Sequence, residues 1–114
     1  MIIGKYNDRK EEIVTKYGTT GTTVRWLINR DNGARNFAMR RFVVKPGGEI
    51  PLHHHVEEHE IYILDGEGIA FNEEQEVSVQ KDMFLYVPPN EPHGYRNLGR
   101  MPLIFICIIP LLDK

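Results

Sequence analysis

Four of the chain's five histidines fall within the run Leu52-His53-His54-His55-Val56-Glu57-Glu58-His59-Glu60, and the fifth, His93, comes later. Neutral imidazole is the commonest side-chain ligand for manganese, iron, nickel, copper and zinc, so imidazoles gathered from these two segments would hold one divalent ion. On a strand, side chains alternate faces, which puts His53 and His55 on one side and His54 on the other. If Val56-Glu57-Glu58 makes a tight excursion and the strand resumes at His59, then His59, Ile61 and Ile63 face inward beside the first pair. His93 follows Val87-Pro88-Pro89-Asn90-Glu91-Pro92, where three prolines fix φ and make a bent, rigid loop. The expected ligands are His53, His55, His59 and His93, which would leave an octahedral ion two open positions. His54 is assigned to solvent or to a contact behind the ligands.

The elements that must position these groups read as strands. Val24-Ile28, Phe37-Val44, His59-Leu64, Ile69-Asn72, Val77-Val79, Met83-Val87, Gly94-Asn97 and Leu103-Ile109 are short runs rich in Val, Ile, Phe, Tyr or Leu. Between them, Asp31-Asn32-Gly33, Lys45-Pro46-Gly47-Gly48, Asp65-Gly66-Glu67-Gly68 and Lys81-Asp82 supply turn residues, so hairpins are expected to dominate. Eight strands suit an all-β jelly-roll barrel. Residues 1–20 stay open among loop, short helical turn and a strand lying across a neighbouring subunit.

Bulk properties narrow the function classes. At 114 residues the chain has the size of one domain, taken as residues 1–114, and 41% hydrophobic with 26% charged residues are globular proportions. A net charge of −2 gives no general attraction to nucleic acid or an anionic membrane, so neither is an expected partner. Cys107 is the single cysteine, which excludes an intrachain disulfide and fits a reducing compartment, the cytoplasm. Charged residues from Lys5 to Glu12 break any apolar leader after Met1-Ile2-Ile3. The apolar run Leu103 to Ile109 falls far short of the ~20 residues that cross a bilayer.

Gly47-(five residues)-His53-x-His55 followed by His59-Glu60 and Gly66 resembles the first motif of the cupin superfamily. Asp82-(five residues)-Pro88-x-Asn90-x-x-His93-x-x-x-Asn97 resembles the second, with Asp82 and Asn90 where the family usually has glycines. The likeness covers residues 47–97 and implies a double-stranded β-helix. It is similar to small single-domain manganese cupins with an all-histidine site, which implies one divalent ion per subunit on His53, His55, His59 and His93. Manganese comes first by that likeness, with iron, nickel or zinc as alternatives. The family pattern also tolerates Glu60 as ligand in place of His59; strand parity favours His59.

Arg40 and Arg41 are consecutive on one strand, so one of them faces inward or lies at the rim. Arg40 shares parity with Phe42 and Val44 and is the expected pocket residue, an anion or carboxylate clamp. Tyr86, Phe105 and Cys107 complete the expected substrate pocket, and Trp26, Tyr62 and Tyr95 are weighed as further lining against plain core. The final strand has no polar alternation, so both of its faces must be covered, and a homodimer is expected. The implied function is a metal-dependent oxidoreductase of dioxygenase type, acting on a small organic molecule. Metal-dependent isomerisation and non-catalytic binding of a sugar or organic acid are the alternatives, and no catalytic base stands out.

Overall fold

The alternating and continuous apolar runs become nine strands in the computed structural model, which describes residues 1–112. In chain order these are β1 (Glu12–Ile13), β2 (Thr20–Ile28), β3 (Phe37–His53), β4 (His59–Asp65), β5 (Glu67–Phe71), β6 (Glu76–Gln80), β7 (Phe84–Val87), β8 (His93–Arg96) and β9 (Leu103–Pro110). Three 3-10 turns, and no α-helix among the described residues, accompany them. No helix there is long and apolar enough to cross a membrane.

All pairings are antiparallel, in the order β6-β5-β8-β3-β9-β4-β7, with β2 joined to β3 and β1 to β2. β3 belongs to both walls of the barrel: Phe37 to Val44 pair with β9, while Glu49, Ile50 and His53 pair with β8. The sheet therefore curls into an all-β jelly-roll barrel. Inward residues of both walls, among them Val24, Phe42, Val44, Ile50, Ile61, Ile63, Leu103 and Phe105, make one core. Each large apolar side chain so buried stabilises the fold by roughly 1.5–3 kcal/mol.

Two expected turns prove to be corners. Lys45-Pro46-Gly47-Gly48 does not end a strand; β3 continues through it to His53, bending where Gly47 takes φ 83. Asp65-Gly66-Glu67-Gly68 does not close a hairpin either. β4 pairs with β7 and β9, whereas β5 pairs with β6 and β8 on the other wall. At that corner Gly66 has φ 81, and a Cβ there would meet the Pro102 carbonyl oxygen. Hairpins consequently do not dominate: closing the barrel takes pairs between strands far apart in sequence.

Asp82 and Asn90, which stand where the family motif has glycines, adopt φ 72 and 65. Asp and Asn are the non-glycine residues that enter this left-handed region most readily, so the turns keep their shape. Asn97 is fully buried and ties the bend of β3 to the end of β8. Its side-chain amide donates to the Val44 and Met101 carbonyls at 2.9 and 2.7 Å, and its Oδ1 accepts from Gly99 N at 2.9 Å.

The opening segment, ambiguous in sequence, packs on its own barrel. Tyr6–Asp8 and Lys16–Gly18 are 3-10 turns, β1 pairs with β2, and the Arg41 guanidinium lies 3.9 Å from the Tyr6 ring centre.

Candidate metal centre

His53 ends β3, His93 opens β8, and the register pairs them directly. His55 lies two residues beyond β3, on the same side as His53, and the 54–58 segment leaves the sheet before β4 starts at His59. Burial alternates cleanly along β4, with His59, Ile61 and Ile63 buried and Glu60, Tyr62 and Leu64 exposed. Glu60 thus faces away from the other histidines and His59 faces toward them. His54 is exposed.

The candidate ligand atoms of His53, His55 and His93 all lie within 4.8 Å of one another. Their ring centres are 4.3 Å (His53–His93), 5.0 Å (His55–His93) and 5.3 Å (His53–His55) apart. Each Nδ1 lies against a backbone carbonyl two residues away: His53 to Pro51 at 2.7 Å, His55 to Glu57 at 2.8 Å and His93 to Glu91 at 2.8 Å. A carbonyl can only accept, so each Nδ1 carries the proton and each Nε2 keeps its lone pair. Metal-binding histidines are commonly oriented in this way. Nε2 of His93 is buried without a hydrogen-bond partner.

His59, the expected fourth ligand, is not one of the residues whose ligand atoms converge within 4.8 Å, although its ring lies beside them. Its ring centre is 4.5 Å from that of His55 and 5.1 Å from that of His93, yet its Nε2 stands 3.4 Å from Arg40 Nη2 and its buried Nδ1 has no partner. Burial pushes the His59 pKa down to about 2, helped by the Arg40 charge, and burial brings His93 to about 4. His53 and His55 are also lowered, mainly by burial. All four are neutral at pH 7, the state a metal requires.

The cluster opens on a cavity of about 340 Å³, at the small end of ligand pockets. Arg40, Phe105 and Cys107 line it, as do Trp26 and Tyr95. Arg40 lies over the rings of Trp26 and Phe42, at 5.3 and 4.9 Å, and its Nη2 reaches Cys107 Sγ at 3.1 Å. Burial raises the Cys107 thiol pKa, so the sulfur stays protonated. Tyr86 is not part of the cavity. It sits on the outward face of β7, 54% exposed, with its hydroxyl donating to Glu58 at 2.8 Å, because inward parity on that strand falls to Leu85 and Val87. Tyr62 points outward in the same way.

Reading the sequence missed the wall formed by Val14, Lys16, Tyr17 and Thr19. Tyr17 stacks on His53 with ring centres 4.3 Å apart and planes 20° from parallel, and it holds φ 63 to do so. No local pattern in the sequence marks it.

The family described as Cupin domain matches residues 40–109. An uncharacterized protein of Methanocaldococcus jannaschii is 30% identical over 109 residues, covering 93% of this chain and 84% of its own length. An oxalate-binding protein of Thermotoga maritima is 37% identical over 82 residues, 71% of this chain and 66% of its own. Among solved structures, the polyketide cyclase RemF from Streptomyces resistomycificus superposes with a TM-score of 0.91 at 33% identity, over 96% of this chain and 79% of that one.

Proposed function

The chain belongs to the cupin domain family, and from that premise we propose that it is a metal-dependent enzyme acting on a small organic molecule. The observation that carries this reading is the set of three imidazoles, each with Nδ1 held by a backbone carbonyl and Nε2 left free, of which His53 and His55 line a small, mostly apolar cavity. His53, His55 and His93 would hold one divalent ion per subunit, with His59 as fourth ligand. Manganese is the first choice, and iron, nickel or zinc the alternatives. An all-imidazole set brings no negative charge, so the ion would supply strong Lewis acidity toward a chelating substrate, and manganese or iron would also supply the redox chemistry an oxidation by dioxygen needs.

The chain's own residues do the rest. The barrel walls exclude water from the cavity, Phe105 and Trp26 offer apolar surface, and Arg40 orients a substrate oxygen. The leading reaction is an oxidation of dioxygenase type; isomerisation through polarisation of the substrate is the other enzymatic outcome. Relatives named as an oxalate-binding protein and a polyketide cyclase support a small organic ligand. One observation favours binding without turnover as a second reading: among the described residues, the only carboxylate lining the cavity is Glu57, a weak candidate for a base fixed at the reaction centre.

Elemental analysis of purified wild type, His55→Ala and His93→Ala tests the site. About one ion per chain in wild type and none in either variant is expected; wild-type metal content in both variants would end the assignment. His59→Gln should loosen the ion and Glu60→Gln should keep it. Oxygen uptake across a panel of small acids then separates an oxygenase from a binding protein.

A homodimer belongs to the same reading. Across the outer face the register lays Met39, Ile108, Glu60 and Tyr86 in one row, and Arg41, Ile106, Tyr62 and Phe84 in the next. Tyr62, Phe84 and Tyr86 are 46%, 80% and 54% exposed. At roughly 200 Å² per aromatic side chain, these three alone leave about 350 Å² open to water. That is already as much apolar surface as a monomer usually exposes in one patch. The single buried thiol of Cys107 supports a cytoplasmic location.

A further inference from the structure

Among the described residues, the buried side-chain polar atoms without a hydrogen-bond partner are Thr19 Oγ1, Arg40 Nε, His59 Nδ1, His93 Nε2 and Tyr95 OH. Leaving such a group unsatisfied costs about 1–3 kcal/mol, and more if it is charged, so isolated cases in a fold call for a cause. Here they converge: Thr19, Arg40, His59 and Tyr95 all line the cavity. Of the imidazole nitrogens, His93 Nε2 is accounted for by the proposed ion, and His59 Nδ1 only through its proposed place as fourth ligand. The guanidinium and the two hydroxyls are not, and all three are donors.

Arg40 is the most demanding of them. No carboxylate pairs with it among the described residues; its neighbours are Cys107 Sγ, His59 Nε2 and the faces of Trp26 and Phe42. Arg41, the next residue on β3, faces outward and lies over Tyr6, so of the two consecutive arginines only Arg40 enters the cavity; Lys16 lines the same cavity, with its ammonium 5.1 Å from the Tyr17 ring centre. A cation withdrawn from water needs a counter-charge, and a divalent ion on neutral imidazoles makes that need greater. Tyr95 is 5% exposed, lies on the opposite wall and lines the same cavity with its hydroxyl unpartnered. Between them the walls are flat and aromatic, with Phe42 stacked on Phe105 at 5.2 Å and Tyr95 against Phe105 at 5.3 Å.

We propose that Arg40 and Tyr95 form an anion subsite, independent of the metal, that takes the carboxylate of a small planar aromatic acid whose ring lies against Trp26, Phe42 and Phe105. The inference rests on the cavity being the substrate chamber, and it names the substrate class: a flat monoanion small enough for about 340 Å³. Guanidinium matches carboxylate in shape as well as charge, and the Tyr95 hydroxyl adds a second donor.

Trp26 is the chain's single tryptophan and lies under Arg40, so its emission reports the subsite directly. Benzoate is titrated into chelator-treated and manganese-loaded protein, with benzamide, of the same shape but uncharged, as control. A saturable change in emission with benzoate is expected in both forms, with benzamide at least tenfold weaker. Arg40→Met should weaken benzoate by at least tenfold, Arg40→Lys by less, and Tyr95→Phe by about tenfold, the size of one hydrogen bond to a charged group. Equal affinity for benzoate and benzamide, an unaltered Arg40→Met protein, or no response to benzoate in the wild type would overturn the subsite. The wild-type comparison stands even if a variant fails to fold. Benzoate binding by a protein that holds no metal would sink the metal reading alone, and metal binding without a benzoate response would sink this one alone.

Discussion

Acid should unfold the metal-free protein through its buried histidines, and the size of the effect follows from their surroundings. In the unfolded chain each imidazole takes up a proton near pH 6.5. In the folded chain burial holds His93 neutral down to about pH 4 and His59 down to about 2. Between pH 6.5 and 4 the unfolded chain therefore binds more protons than the folded one, and stability falls as pH falls. At about 1.4 kcal/mol per pH unit, His93 alone withdraws about 3 kcal/mol across that window, and His59 a like amount. Against a total of roughly 5–15 kcal/mol, this is enough to take the fold to the edge of stability. Urea titrations of chelator-treated protein at pH 7, 6, 5 and 4 should show the midpoint dropping steadily, and the drop should be shallower by about 3 kcal/mol in His93→Gln. A wild-type midpoint that stays level from pH 7 to 4, or an equally steep fall in His93→Gln, would refute the argument that burial is the main cause keeping these rings neutral.

Three further outcomes test the scaffold. Asn97→Ala removes two donated hydrogen bonds and one accepted one in the interior; a loss of about 3 kcal/mol is expected, lowering the melting temperature by about 12 °C, and a change under 1 kcal/mol in urea unfolding would contradict it. Asn90→Ala should cost about 1 kcal/mol because φ 65 disfavours Ala, while Asn90→Gly should stay within about 0.5 kcal/mol of wild type; equal losses in thermal melts would count against backbone conformation as the cause. Light scattering at micromolar concentration should give about twice 13.3 kDa, and Ile106→Lys should give a monomer that retains its metal, because Ile106 sits at the centre of the outer face and away from the cavity. A monomeric wild type would remove the dimer.

The fold was legible because strand periodicity and parity are local. Each of the eight expected strands overlaps an observed one, with Ile69-Asn72, Met83-Val87 and Gly94-Asn97 overrunning it by one residue, and Arg40 faces inward with Phe42 and Val44. What the sequence did not show is which strands pair. A turn signal such as Asp65-Gly66-Glu67-Gly68 has the same composition whether it closes a hairpin or sends the chain to the opposite wall. The choice is made by Gly66 lying against the Pro102 carbonyl, a residue brought there by the remote strand β9. Tyr86 stands only seven residues before His93, near the end of the strand that leads into the same proline-rich loop. Proximity in sequence says nothing about the face a side chain takes, and on β7 the inward positions belong to Leu85 and Val87.

The histidine cluster was legible for the same reason that its far wall was not. His53, His55 and His59 share parity, and the one long-range step, to His93, is made by the His53 to His93 pair between β3 and β8. Tyr17 and Thr19 owe their place to a different long-range step. β2 pairs Thr20 with Glu49, which carries the 3-10 turn Lys16–Gly18 up to Pro51 and lays the Tyr17 ring on His53. Nothing within Lys16-Tyr17-Gly18-Thr19 encodes that stack, and the left-handed φ of Tyr17 is unfavourable for the segment by itself. The conformation persists because contacts on both sides fix it, with the ring on His53 and the following strand in the sheet. A ligand imidazole of the site is thus braced by a residue that local sequence alone would not have selected.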